Sequence, residues 1–220
     1  MTVKQQAVRD QILRTAADLF GDRGYRATTL DHIAARLGMS KASLYTYFRA
    51  KEEILAAISR ETIERFTREL GLVLGSDLSP DERLRRMVRE HVRFVIAHRS
   101  FLTVFFGEEA NLPPRLGRAL AAQKDRYDKG VESVIADGIR RGVFRAVPPR
   151  LVVFGLLGMV NWTYKWYNPR GPWGAEDIAS AFLSMVEGGL LRRPPRGPAL
   201  SQRIGRVQRE LQDLGRALDA

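Results

Sequence analysis

Leu30, Ile33, Ala34 and Leu37 recur at steps of three and four, the spacing that gathers apolar side chains on one face of a helix. Gly38 follows, where a helix C-terminus calls for a left-handed residue. Ser40 then stands where a side-chain oxygen can cap a second helix, predicted over 41–48, by accepting a backbone N–H. Nothing in this stretch alternates with period two, so a strand does not explain it. Two short helices joined by a glycine turn make a helix-turn-helix, whose second helix enters the DNA major groove.

Helical periodicity runs through the rest of the chain. A first helix is predicted over 4–20, with Ile12, Leu13, Ala16 and Phe20 inward and Gly21 and Gly24 ending it. Lys51, Glu52 and Glu53 open a helix reaching 74, long enough to connect the first unit to the remainder; its acidic residues suit the positive helix end. Pro80 fits a first helical position and precedes an apolar stripe that includes Leu84, Val88, His91 and Val95. A short apolar segment from Phe101 to Phe106 ends before Pro113-Pro114, and a helix over 114–141 follows, with Leu116, Leu120, Tyr127 and Ile135 inward. Residues 151–167 are apolar nearly all round, and such a helix must be buried on all sides. In a chain of 220 residues this predicts one face on the chain's own core and the other on a second subunit. A last core helix is predicted over 175–191, carrying Ile178, Phe182 and Met185. Beyond a Pro- and Arg-rich linker at 192–198, Leu200, Ile204, Val207, Leu211, Leu214 and Leu218 form a heptad-like seam that Gly205 and Gly215 weaken. It is predicted to lie on the body or on its dimer mate.

Charge narrows the partner. The chain holds 36 Lys and Arg against 25 Asp and Glu, a net charge of +11, and its pI is near 10.5. That balance suits nucleic acid, although an Arg-rich composition also accounts for part of it. There is no cysteine, which excludes disulfides, thiolate catalysis and Cys-based zinc sites. No signal peptide is recognisable and the longest apolar run is short of a membrane span, so a cytoplasmic location without membrane association is expected. G-x-S-x-G, H-E-x-x-H and P-loop patterns are all missing, and His32, His91 and His98 do not have metal-ligand spacing. The expectation is therefore no enzyme, no catalytic residue, no metal and no cofactor.

Phe20-Gly-Asp-Arg-Gly-Tyr25, Thr28-Thr29, Ile33-Ala34, Gly38-Met39-Ser40, Leu44-Tyr45, Tyr47-Phe48 and Lys51-Glu52 together resemble the DNA-binding domain of the TetR family of bacterial repressors. The resemblance implies an all-α fold. A three-helix DNA-binding domain would occupy 1–50, a helical ligand-binding and dimerisation domain 51–191, and a linker with a C-terminal helix 192–220. It also implies a homodimer through the last two core helices. A symmetric dimer reads a palindromic operator with half-sites about one helical turn apart.

Position on the second helix assigns the DNA chemistry. Lys41, Ala42 and Ser43 lie at its N-terminal part, where side chains reach base edges: Lys41 for guanine, Ala42 for a thymine methyl, Ser43 as donor or acceptor. The resemblance places Tyr45, Tyr47, Thr29 and Lys51 on the phosphate backbone. Asp31 would repel phosphate, so it is expected to cap or to orient a partner.

The segment from Asn161 to Trp173 mixes large aromatics with Asn161, Lys165 and Arg170. A plain aromatic core stripe is one explanation. The other starts from Lys165, which, if buried, needs an anion or an acceptor. Trp162 and Trp166 lie one turn apart, a spacing that suits base stacking. This box resembles a TetR subgroup that senses acyl-coenzyme A. That resemblance implies a ligand site with Asn161, Trp162, Lys165 and Trp166, and with Phe105 in its apolar wall. Two rivals stay open: a repressor of efflux genes that senses a lipophilic drug, and a structural DNA-binding protein without a ligand.

Overall fold

The computed structural model describes residues 2–191. The linker and heptad-like segment expected over 192–220 lie outside the described residues. Nine α-helices and one 3-10 turn, Glu109–Asn111, make up the described residues. The helices are α1 Val3–Arg23, α2 Leu30–Leu37, α3 Lys41–Tyr45, α4 Lys51–Leu74, α5 Pro80–Ala97, α6 Arg99–Gly107, α7 Pro114–Arg140, α8 Pro149–Trp166 and α9 Ala175–Leu190. Among these residues the extended pairing is one isolated bridge, Phe144 with Leu191.

Local chemistry sets most boundaries. Thr2 and Gln5 close a reciprocal cap at the start of α1. This helix runs three residues past the predicted end. Gly21 stays helical beside Thr103 of α6, and the stop falls at Gly24, whose φ of 85° favours glycine. Thr28, fully buried, donates its hydroxyl to the carbonyls of Leu19 and Gly24, at 3.2 and 2.9 Å, and so satisfies the helix end. Gly38 takes the left-handed conformation predicted for it, with φ 63° and ψ 25°. The recognition helix is shorter than predicted. After Tyr45 the chain tightens into a turn in which Thr46 donates its hydroxyl to the Ser43 carbonyl at 2.7 Å.

α1 packs on α2, α4 and α6, and buried Leu44 and Phe48 seat the recognition unit. α4 continues out of this unit and packs on α5, α6 and α7. α5 runs through the middle of the larger part, against α7, α8 and α9. Phe144 lies flat on Gly138 of α7, where any side chain would collide with its ring, so glycine is required there. Leu116 departs from its predicted inward position and is exposed in the first turn of α7.

α8 has two apolar faces. Val153, Leu156, Leu157, Val160 and Tyr164 are buried, while Leu151, Phe154 and Trp162 on the opposite face are 65, 53 and 60% exposed. Met185 of α9 and Trp173 before it are exposed as well. Among the described residues, no helix is long and apolar enough to cross a membrane.

Candidate nucleic-acid interface and effector cavity

The helix-turn-helix is held by caps. The Thr29 hydroxyl accepts the His32 N–H at 3.2 Å, and the Ser40 hydroxyl accepts the Ser43 N–H at 3.1 Å. Thr29 is exposed, so its hydroxyl faces solvent beside the α2 N-terminus while capping it. Lys41, Ala42, Ser43 and Tyr45 are all exposed on one short helix, and Tyr47 is half-buried behind them. Ser43 shares a 2.8 Å hydrogen bond with the Ser40 hydroxyl. Lys41 donates to Asp31 at 2.9 Å; this bond and the carboxylate charge raise the Lys41 pKa. Asp31 thus orients the candidate base reader, as its charge required. The pair is exposed, so little opposes its exchange for a base or phosphate.

Lys51 has a different job from the one expected. Its ammonium donates to the carbonyls of Tyr25, Arg26 and Thr28 at 3.0, 3.2 and 3.1 Å, and stands 4.5 Å from the centre of the Tyr25 ring. Three donors meet three acceptors, which leaves none for a phosphate. Lys51 ties α4 to the turn between α1 and α2. Exposed Arg26, Arg36, Thr46 and Arg49 surround the unit and were not singled out in the sequence. Their only signal there was charge or a hydroxyl without periodicity.

The larger part encloses a cavity of about 250 Å³. Ile63 and Phe66 come from α4, Phe105 and Phe106 from α6, and Leu157 from α8. His91, Tyr127 and Asn161 meet at the wall from three different helices. His91 Nε2 lies 2.8 Å from Asn161 Oδ1, and the Tyr127 hydroxyl lies 3.0 Å from His91 Nδ1. Burial pushes the His91 imidazole down to about 4, against the Asn161 bond, so the ring is neutral at pH 7. Burial and the Asp128 charge push the Tyr127 phenol up. Exposed Phe154 and Gly158 line the cavity together with half-buried Lys124 and Asp128, and these mark its mouth. Arg150 lies over the Phe154 ring and within 3.7 Å of Asp128.

Of the expected ligand residues, Phe105 and Asn161 line this cavity and Trp162, Lys165 and Trp166 do not. Lys165 is exposed, so the premise of a buried lysine fails. The reason is phase. Asn161 continues the inner stripe of α8 from Leu157, whereas Trp162 and Trp166 continue the outer stripe from Phe154 and Gly158. His91 and Tyr127 were read as core. A polar group inside an apolar stripe was their only sequence signal, and their pairing spans three helices. Among the described residues, no cluster of three or more His, Cys, Asp or Glu is placed to hold a metal ion.

An exposed recognition helix on a capped turn, joined by one long helix to a partly open apolar cavity, is the arrangement of a DNA-binding regulator with an effector site. Residues 12–58 match the family described as bacterial regulatory proteins, tetR family, and residues 77–190 match the tetracyclin repressor-like C-terminal domain. The chain belongs to the TetR family of DNA-binding transcriptional regulators, and is not an enzyme. It is 28% identical to the transcriptional repressor KstR2 of Mycolicibacterium smegmatis over 83% of this chain and 90% of that protein. The structure of the TetR-family regulator PfmR from Thermus thermophilus superposes with a TM-score of 0.76, at 34% identity, over 82% of this chain and 99% of that one. AibR, solved in complex with isovaleryl coenzyme A and operator DNA, superposes with a TM-score of 0.73, at 32% identity, over 80% of this chain and 96% of that one.

Proposed function

We propose that this chain is a dimeric transcriptional repressor, acting in the cytoplasm, that an acyl-coenzyme A releases from a palindromic operator. The observation that carries the proposal is the position of the cavity against α4. Ile63 and Phe66 form its wall, and the same helix buries Ile54, Leu55 and Ile58 on the side of the helix-turn-helix. α6 offers a second route, with Phe105 at the cavity and Thr103 against Gly21 of α1. A ligand that reshapes the cavity therefore acts on both helices that carry the recognition unit, and it shifts the DNA-competent population by its differential affinity for the two shapes.

Size divides the ligand. A cavity of about 250 Å³ suits a short acyl group and is far too small for coenzyme A, which stays outside. Phe105 and Asn161 then touch the acyl group. Lys165, Trp162 and Trp166 lie on the stripe leading out from the mouth, where the coenzyme portion and the partner subunit would meet them. AibR, with its isovaleryl coenzyme A complex, supports this reading by similarity. For DNA, Lys41, Ala42 and Ser43 read bases, and Thr29, Tyr45 and Tyr47 hold phosphates. The division into a DNA-binding domain at 1–50, a ligand-binding and dimerisation domain at 51–191 and a tail at 192–220 is part of the same proposal. A sensor of cationic drugs is less well supported, because Asp128, the acidic group in the cavity wall, already faces Arg150.

The test is a gel-shift titration of the operator complex with hexanoyl-CoA, free hexanoic acid and free coenzyme A. The thioester should release DNA at concentrations where the other two do not. Release by the free acid at the same concentration rejects the coenzyme A assignment.

A further inference from the structure

The His91–Tyr127–Asn161 chain has a polarity that the cavity alone does not reveal. A neutral imidazole carries one N–H. Asn161 Oδ1 can only accept, so Nε2 donates to it and Nδ1 accepts the Tyr127 hydroxyl proton. The relay therefore runs from Tyr127 through His91 to Asn161 and ends on the carbonyl oxygen of the amide. The amide nitrogen of Asn161 has no hydrogen-bond partner among the described residues, and Asn161 lines the cavity. Reversing the relay still leaves a donor free, on the Tyr127 hydroxyl. Phe66, Phe105, Phe106 and Leu157 supply the apolar wall, and Lys124 and Asp128 stand at the mouth.

A donor without a protein partner beside an apolar wall is selective, because only a ligand with an acceptor pairs it. We infer that the cavity selects an apolar group bearing a carbonyl oxygen, which accepts a hydrogen bond from the Asn161 amide, and that the His91–Tyr127 pair positions that amide. The inference rests on the cavity being the effector site and adds to it the chemical class of the buried group. A plain hydrocarbon fills the same space but leaves the donor unmet. The carbonyl comes either from the thioester or from a keto group further along the acyl chain, and both present the same acceptor.

Acetophenone and α-methylstyrene test the inference, because they differ only in C=O against C=CH₂. Binding of each to the full-length protein is measured by calorimetry, for the wild type, Asn161→Leu and Asn161→Asp, at pH 8. The aspartate variant keeps an oxygen for the His91 N–H and its carboxylate only accepts, so it removes the donor without opening a void. Both variants should weaken acetophenone by about tenfold, the usual scale of one buried hydrogen bond, and leave α-methylstyrene unchanged or tighter. Retained α-methylstyrene binding shows that the variant is folded with its cavity intact. Equal changes for the two probes, or none for acetophenone, overturn the carbonyl assignment while the cavity stands as a binding site. Failure of both probes to bind the wild type overturns the cavity as a ligand site, and this assignment with it. Hexanoyl-CoA then separates the sources: a loss like that of acetophenone in Asn161→Leu assigns the thioester carbonyl, and no loss assigns a keto group on the acyl chain.

Discussion

The recognition unit and the cavity handle polar groups in opposite ways. Around α3 the polar side chains point outward, and one buried leucine, Leu44, anchors the helix. Lys41, Ser43 and Tyr45 are exposed, so holding them there strains nothing. In the cavity the polar groups point inward. His91 is only 6% exposed and Tyr127 7%, and each persists because a hydrogen bond offsets its lost hydration. The lesson concerns what a substitution changes. At the outer site binding and stability are separable. In the proposed effector site they are coupled, since each polar group serves the fold and, under that proposal, the ligand.

The largest effect is expected at the proposed dimer face. Leu151→Glu or Met185→Glu places a charge on a surface already exposed in the single chain, so the fold should survive while dimers and operator binding are lost. Sedimentation together with a gel shift checks both, and an intact dimer in both variants removes this face from the interface.

Lys51→Met tests whether that residue belongs with the outer groups or with the fold. Losing three carbonyl contacts to a charged group should cost about 3 kcal/mol in urea unfolding. The slope of log affinity against log salt should not change. A flattened slope at full stability would return Lys51 to the phosphates.

Acid tests the inner site. The His91 pKa is lowered from 6.5 to about 4 in the folded chain, so between these values the unfolded chain binds more protons than the native one. Stability is therefore full above pH 6.5 and falls as the pH drops towards 4, by at most about 3 kcal/mol at 1.36 kcal/mol per unit. Urea midpoints at pH 5 and 7.5 should differ less in His91→Gln than in the wild type. An equal difference in both removes His91 as the cause.

The smallest effects belong to the outer site. Lys41→Ala should narrow the gap between operator and random duplex by about tenfold, with the unfolding midpoint unchanged. Tyr45→Phe should weaken both duplexes alike and by less. Equal losses on both duplexes for Lys41→Ala would show that it is not a base reader.

The helix-turn-helix and its caps were legible in the local sequence. Thr29, Gly38 and Ser40 act within three or four residues of themselves, and caps, left-handed turns and helical stripes are local physics that sequence order preserves. The second apolar stripe of α8 was legible for the same reason, because it follows from residue order along one helix. The carbonyl contacts of Lys51 were not legible, because its three acceptors lie 23 to 26 positions away, on a turn whose approach depends on how α1 meets α4. Trp162, Lys165 and Trp166 stand outside the cavity by a rotation of about one residue around α8, which its packing on α5 and α7 decides.

Periodicity, caps and motif spacing thus carried the all-α architecture, the helix-turn-helix and the exposed side chains of α3, since each follows from neighbours along the chain. The cavity needed the assembled helices. His91, Tyr127 and Asn161 are 34 to 70 positions apart, and their meeting depends on the crossing of α5, α7 and α8, where buried polar groups must find partners whatever their distance in sequence.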